Sequence, residues 1–125
     1  MSSQSGSPFR DAPEVASPFH PVTPGSALLE SAAGTLRMLA EPTRLHLLWQ
    51  LAQGPKTVTE LVDCAAVPRT VVSQHLAKLR FSGLVDTRKD GRHVIYSLHD
   101  GHLARLIQET INHADHQVTG EPIHD

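Results

Sequence analysis

Cysteine is nearly absent from this chain. Of 125 residues only Cys64 carries a thiol, which excludes an intrachain disulfide and any metal knuckle built on cysteine pairs. It lies in the apolar helical stretch Leu61-Val62-Asp63-Cys64-Ala65-Ala66-Val67, where a free thiol is expected to pack as a small hydrophobe. Long hydrophobic runs are missing too. No segment approaches the length of a membrane-spanning helix, and the N-terminus lacks a basic-then-apolar signal. Both absences point to a cytoplasmic protein with no membrane partner. A chain of 125 residues has room for one domain with a modest core, plus a tail.

Excess charge of either sign is also lacking, since the formal net charge is only −2. That small sum hides an asymmetry. Arg69, Lys78, Arg80, Arg88, Lys89 and Arg92 face only Asp86 and Asp90 in the middle of the chain. From His99 onward, Asp100, Glu109, Asp115, Glu121 and Asp125 face Arg105 alone. A basic middle and an acidic end imply a local polyanion-binding surface followed by a metal-attracting segment.

Ser, Pro and Gly dominate residues 1–25, which cannot bury enough surface to offset ordering entropy and are expected to form a disordered tail. A helix should follow from Ser26, with Leu28, Leu29, Ala32, Ala33, Leu36, Leu39 and Ala40 on its apolar side. Pro42 starts a second helix, with Leu45, Leu47, Leu48, Trp49 and Leu51 as core candidates, and Gly54-Pro55 ends it. A short helix over Val58 to Ala65 breaks at Val67-Pro68, and a longer one runs from Arg69 to Phe81 before Ser82-Gly83 closes it. Leu84 to Arg88 and Arg92 to Leu98 then read as a β-hairpin around Lys89-Asp90-Gly91, with Asp-Gly supplying the turn. The expected fold is mainly α with a β-hairpin wing, a winged helix-turn-helix over residues 26–117 with a flexible C-terminal tail at 118–125.

The helix after Pro68 has the features of a DNA-reading element. Val72, Leu76 and Leu79 recur at i, i+4 and i+7 and should pack inward. Arg69, Thr70, Ser73 and Gln74 project from the first turns on the other side, where such a helix enters the major groove. Lys78 and Arg80, with Arg88, Lys89 and Arg92 on the wing, suit phosphates. His75 interrupts the polar face and is expected to pack against the core or reach backbone. His46 and His93 read as structural or exposed.

The last helix carries a second constellation. Leu103 to Asn112 contains no Gly or Pro and continues one helix. At about 100° per residue, His102 and His113 fall about 20° apart and His116 about 40° to the other side, so all three share a face. Along the axis His102 and His113 are about 16 Å apart, while metal–nitrogen bonds are about 2 Å. One helix cannot close this set on a single ion. Two antiparallel copies in a homodimer can: Asp100 and His102 of one chain meet His113 and His116 of the other, giving two symmetric four-ligand sites suited to tetrahedral zinc. Asp100 can act at the same time as the helix N-cap.

Ala40-Glu41-Pro42-Thr43-Arg44, Val72-Ser73-Gln74-His75-Leu76-Ala77-Lys78-Leu79-Arg80, Gly83-Leu84-Val85 and Gly91-Arg92-His93-Val94-Ile95-Tyr96-Ser97-Leu98 resemble the ArsR/SmtB family of metal-sensing repressors. The likeness spans about Ser26 to His116. It implies a homodimeric winged-helix repressor whose metal-free form binds operator double-stranded DNA and whose metal-bound form lets go. In the subgroup that senses through its last helix the pattern is Asp-x-His followed by His-x2-His from the other subunit, and Asp100, His102, His113 and His116 match it position for position. The resemblance also implies that His113, once ligated, contacts backbone around Gly83. Another subgroup places cysteines in the short helix before recognition; Lys56 to Leu61 has none.

Three alternatives stay open. If His99, His20 or His124 add donors, a six-coordinate site would favour nickel or cobalt over zinc. The same fold could answer to a protein or organic effector, or use zinc only to hold the dimer together. A zinc hydrolase would need an open coordination position and a substrate cleft, which a closed interhelical set does not offer, so the reading is not an enzyme.

Overall fold

The computed structural model describes residues 22–120. Of the segments read as tails, residues 1–21 and 121–125 lie outside the described residues, together with His20 and His124. The elements run α1 (Ser26–Leu39), α2 (Pro42–Ala52), β1 (Lys56–Thr57), α3 (Val58–Ala65), α4 (Arg69–Phe81), β2 (Val85–Asp90), β3 (His93–Leu98) and α5 (Gly101–Thr119). Helix α5 thus includes Val118 and Thr119, two residues beyond the expected domain end, and Gly120 caps it in the left-handed conformation.

Local chemistry explains each boundary. Glu41 caps α2 by accepting from the Arg44 N–H, with Pro42 at the first helical position. Thr57 and Glu60 form a reciprocal capping box at the start of α3. The turn before α4 is set by Ala66, left-handed at φ 57°, and by Pro68, whose carbonyl accepts from Val71 and Val72. Helix α4 ends in a Schellman motif: Gly83 adopts φ +79°, its N–H reaches the Arg80 carbonyl, and the Leu84 N–H reaches Leu79.

The chain divides into two compact units after Ser31. Within the described part of the first, Leu28 and Leu29 are exposed. In the second, from Ala32 on, Leu47, Leu48 and Leu51 of α2, Leu61 of α3, Val72, Leu76 and Leu79 of α4, Val85 of β2, and Leu103 and Ile107 of α5 form a continuous buried core, closed by Leu39 of α1. Leu45 and Trp49 are partly buried against it. The apolar side expected for α1 is therefore mostly uncovered within one chain: only Leu39 of that set is buried, and Leu36 is 54% exposed.

Strands β2 and β3 pair from Val85↔Leu98 to Asp90↔His93, so the tight turn is Gly91-Arg92 and not Asp90-Gly91. Gly91 takes φ +66° at the first central position and Arg92 has negative φ, the pattern of a type II′ turn. Unexpected from sequence is β1, which adds a third strand by pairing Lys56↔Tyr96 and Thr57↔Ile95, in the order β1-β3-β2. No helix among the described residues is long and apolar enough to cross a membrane.

Candidate nucleic-acid and metal sites

Burying Val72, Leu76 and Leu79 leaves the opposite side of α4 in water. Arg69, Thr70, Ser73, Gln74, Lys78 and Arg80 are all exposed there. Arg69, the first residue of the helix, also donates through Nη1 to the Thr59 hydroxyl at 3.3 Å, tying the two helices of the helix-turn-helix at the surface. His75 is turned the other way. Its ring is 16% exposed, with Nε2 3.8 Å from Glu41 Oε1.

On the wing, Arg88, Lys89 and Arg92 are exposed. The pleat separates them. Asp86, Arg88 and Asp90 share the face of Ser97, Ile95 and His93, while Lys89 shares the other with Val94. The hairpin presents cations around its tip, and α4 presents hydrogen-bonding side chains in its first turns. That combination suits base edges in a groove with phosphates on either side.

At the junction of wing and last helix, the His99 N–H donates to the Leu84 carbonyl, continuing the ladder. On the Asp86 face of the wing, His99 Nδ1 lies 3.0 Å from Asp86 Oδ2. That hydrogen bond, with the Asp86 charge, raises the His99 pKa above its ordinary value. Asp100 follows as the N-cap of α5, its Oδ1 accepting from the Leu103 N–H at 2.9 Å. This bond, the largest influence, holds the Asp100 carboxyl below the usual range, with the nearby His102 and His99 acting in the same direction. The residue is thus the helix cap and is held in its ionised form, the form in which a carboxylate can serve as a ligand.

His102 is exposed in the first turn of α5, and His113 and His116 are exposed in its last turns. Leu103 and Ile107 turn the opposite side of the helix into the core. Among the described residues no three His, Cys, Asp or Glu side chains of one chain converge on a metal-sized site. The axial distance along one helix accounts for that, because the two halves of the donor set sit at opposite ends.

A half-open cleft of about 230 Å³ adjoins the first half-set, lined by Gly83, Leu84, His99, Asp100, His102 and Leu103 among others. The end of the recognition helix and two candidate ligands thus share one cavity wall. Cys64, expected to pack as a small hydrophobe, is exposed. In the sequence Arg105 and Asp86 stand out only as charges, yet Arg105 approaches His102 and Asp86 holds His99. For Arg105 the i, i+3 spacing was the available signal; for Asp86 the hairpin register was.

Residues 41–87 match the family described as bacterial regulatory protein, arsR family. The chain is 40% identical over 97 residues to the HTH-type transcriptional repressor SmtB of Mycobacterium tuberculosis, covering 78% of this chain and 72% of that one. It is 44% identical over 84 residues to the transcriptional regulator NmtR of the same organism, covering 67% and 70%. Among solved structures it is similar to a homodimeric winged helix-turn-helix DNA-binding domain of Mycobacterium bovis, a possible ArsR-family transcriptional regulator. That match has a TM-score of 0.69 and 30% identity, covering 80% of this chain and 93% of the other.

Proposed function

The chain belongs to the ArsR/SmtB family of DNA-binding transcriptional regulators, and from that premise we propose that it is a cytoplasmic, metal-responsive repressor. It binds operator DNA as a metal-free homodimer and lets go when zinc is held by Asp100 and His102 of one protomer with His113 and His116 of the other. The observation that carries this reading is the cleft joining Asp100 and His102 to Gly83 and Leu84 at the end of the recognition helix. Ligands arriving there from a second copy act beside the element that reads DNA. Leu36 and Leu106, 54% and 36% exposed, supply apolar surface for that second copy to cover.

An effector changes DNA affinity only if it favours one dimer arrangement over another. Zinc held there would join Asp100 and His102 of one protomer to His113 and His116 of the other and so tie the two chains together. The separation of the two α4 helices would then shift, and a dimer reading half-sites about one helical turn apart would lose contacts at both together. His113 reaching backbone around Gly83 is the link proposed between ligand and reader. A His113→Ala dimer that still binds zinc tightly and still releases DNA would discard that link.

His99 favours a second reading. It lines the same cleft, and with Nδ1 held by Asp86 its Nε2 is left to act as a donor. An added imidazole raises the coordination number, which suits nickel or cobalt.

The test is a titration of zinc, then nickel and cobalt, into the complex with promoter DNA at fixed salt, followed by fluorescence anisotropy. Release at about one ion per protomer, reversed by chelator and lost in His102→Ala, is expected. No release with any of the metals moves the role to an organic or protein effector. Loss of DNA binding on chelation would make the metal structural.

A further inference from the structure

Arg105 is the only Lys or Arg after His99, and it is spent on a candidate ligand. Its Nη2 lies 2.8 Å from Nδ1 of His102, three residues back on α5. A guanidinium stays protonated and has no acceptor, so Arg105 donates and Nδ1 presents its lone pair. The neutral ring then carries its proton on Nε2. Gly101 stands under this arrangement: a Cβ built there would be 3.8 Å from Arg105 Nη1, so the guanidinium is folded back over the first turn of the helix.

This contact and metal ligation exclude each other. A metal takes the lone pair of one ring nitrogen while the other keeps the proton. Through Nδ1, the ion needs the lone pair that Arg105 occupies. Through Nε2, the proton moves to Nδ1 and two N–H donors face one another. On either route the guanidinium must leave, and its charge beside a dication opposes binding as well. We propose that Arg105 is a built-in competitor of the metal, holding His102 in the metal-free protein and setting the metal concentration at which the repressor responds. The proposal rests on reading Asp100, His102, His113 and His116 as the ligands.

The experiment measures zinc affinity of the full-length protein by competition with a chromogenic chelator, for the parent, Arg105→Met, Arg105→Lys and His102→Ala. Arg105→Met, which removes both charge and donor, is expected to tighten zinc binding roughly three- to tenfold. Arg105→Lys keeps the charge but not the guanidinium geometry and should fall between the parent and Arg105→Met. In parallel, nitrogen-15 NMR of the metal-free parent should show His102 as the Nε2–H tautomer, with mixed tautomers in Arg105→Met. Unchanged or weaker zinc binding in Arg105→Met, with binding lost in His102→Ala, overturns the competitor and leaves the ligand set standing. A parent His102 protonated on Nδ1 overturns it without any substitution. If His102→Ala binds zinc as the parent does, the ligand set falls and the proposal with it.

Discussion

His75, in the middle of the recognition helix, places Nε2 3.8 Å from Oε1 of Glu41, the N-cap of α2. Its other nitrogen, Nδ1, is enclosed with no hydrogen-bond partner among the described residues. The DNA-reading helix is thus braced from behind by a residue that also begins the helix beneath it. An orphaned buried polar atom costs stability, and an apolar ring of similar size removes that cost. His75→Phe should therefore unfold at or slightly above the parent temperature, whereas Glu41→Ala should unfold below it; thermal denaturation by circular dichroism checks both. A clear loss in His75→Phe would mean that the Glu41 contact outweighs the orphaned nitrogen.

Acid should loosen the two capped helices. Backbone hydrogen bonds from Arg44 and Thr57 are the largest influences holding the Glu41 and Glu60 carboxyls below their ordinary value of 4.5. A carboxyl lowered in the folded state contributes stability that is fully present above its unfolded value and lost as pH falls through the folded one. The part of the stability that these two carboxyls contribute should thus be lost as pH falls below about 4.5. Glu60→Gln should start lower at pH 7, with the gap to the parent narrowing in acid. A gap that persists unchanged at pH 3 would remove the charge from the explanation.

Gly83 ends the recognition helix at φ +79°, and a Cβ there would meet nothing within 4 Å. Gly83→Ala therefore isolates backbone strain, with an expected cost of about 1 kcal/mol. Leu76→Ala, at a position 0% exposed, should cost about 2–5 kcal/mol through lost burial and a cavity. Urea unfolding of the metal-free protein distinguishes the two. Equal losses would mean that the Schellman turn carries far more than local strain.

The DNA surface should divide by chemistry. Gln74→Ala is expected to weaken operator binding by about 1–3 kcal/mol and to relax the preference at one base pair. Lys89→Ala and Arg92→Ala should weaken all sequences alike and reduce the salt slope by about one unit each. Anisotropy titrations at three salt concentrations, on operator and scrambled DNA, read both quantities. Arg69→Ala should affect both, since Thr59 holds that side chain at the helix-turn-helix surface.

Periodicity and breakers made much of this protein legible. Val72, Leu76 and Leu79 declared the inward side of α4, Pro68 and Gly83 its limits, and the spacing of His102, His113 and His116 their common side of α5. These are local properties, set within a few residues by helix geometry and φ preference, and the sequence alone determined them. The tertiary structure decided the rest. A two-residue strand has no period to read, so β1 emerged only when Lys56 and Thr57 met β3. Whether Cys64 or Leu36 is covered depends on which distant element packs there, and in a single chain none does. The hairpin register brings Asp86 to His99, and helix packing brings Glu41 to His75. Such pairs join residues far apart along the chain, where local propensity has no reach and only the shared core sets the distance.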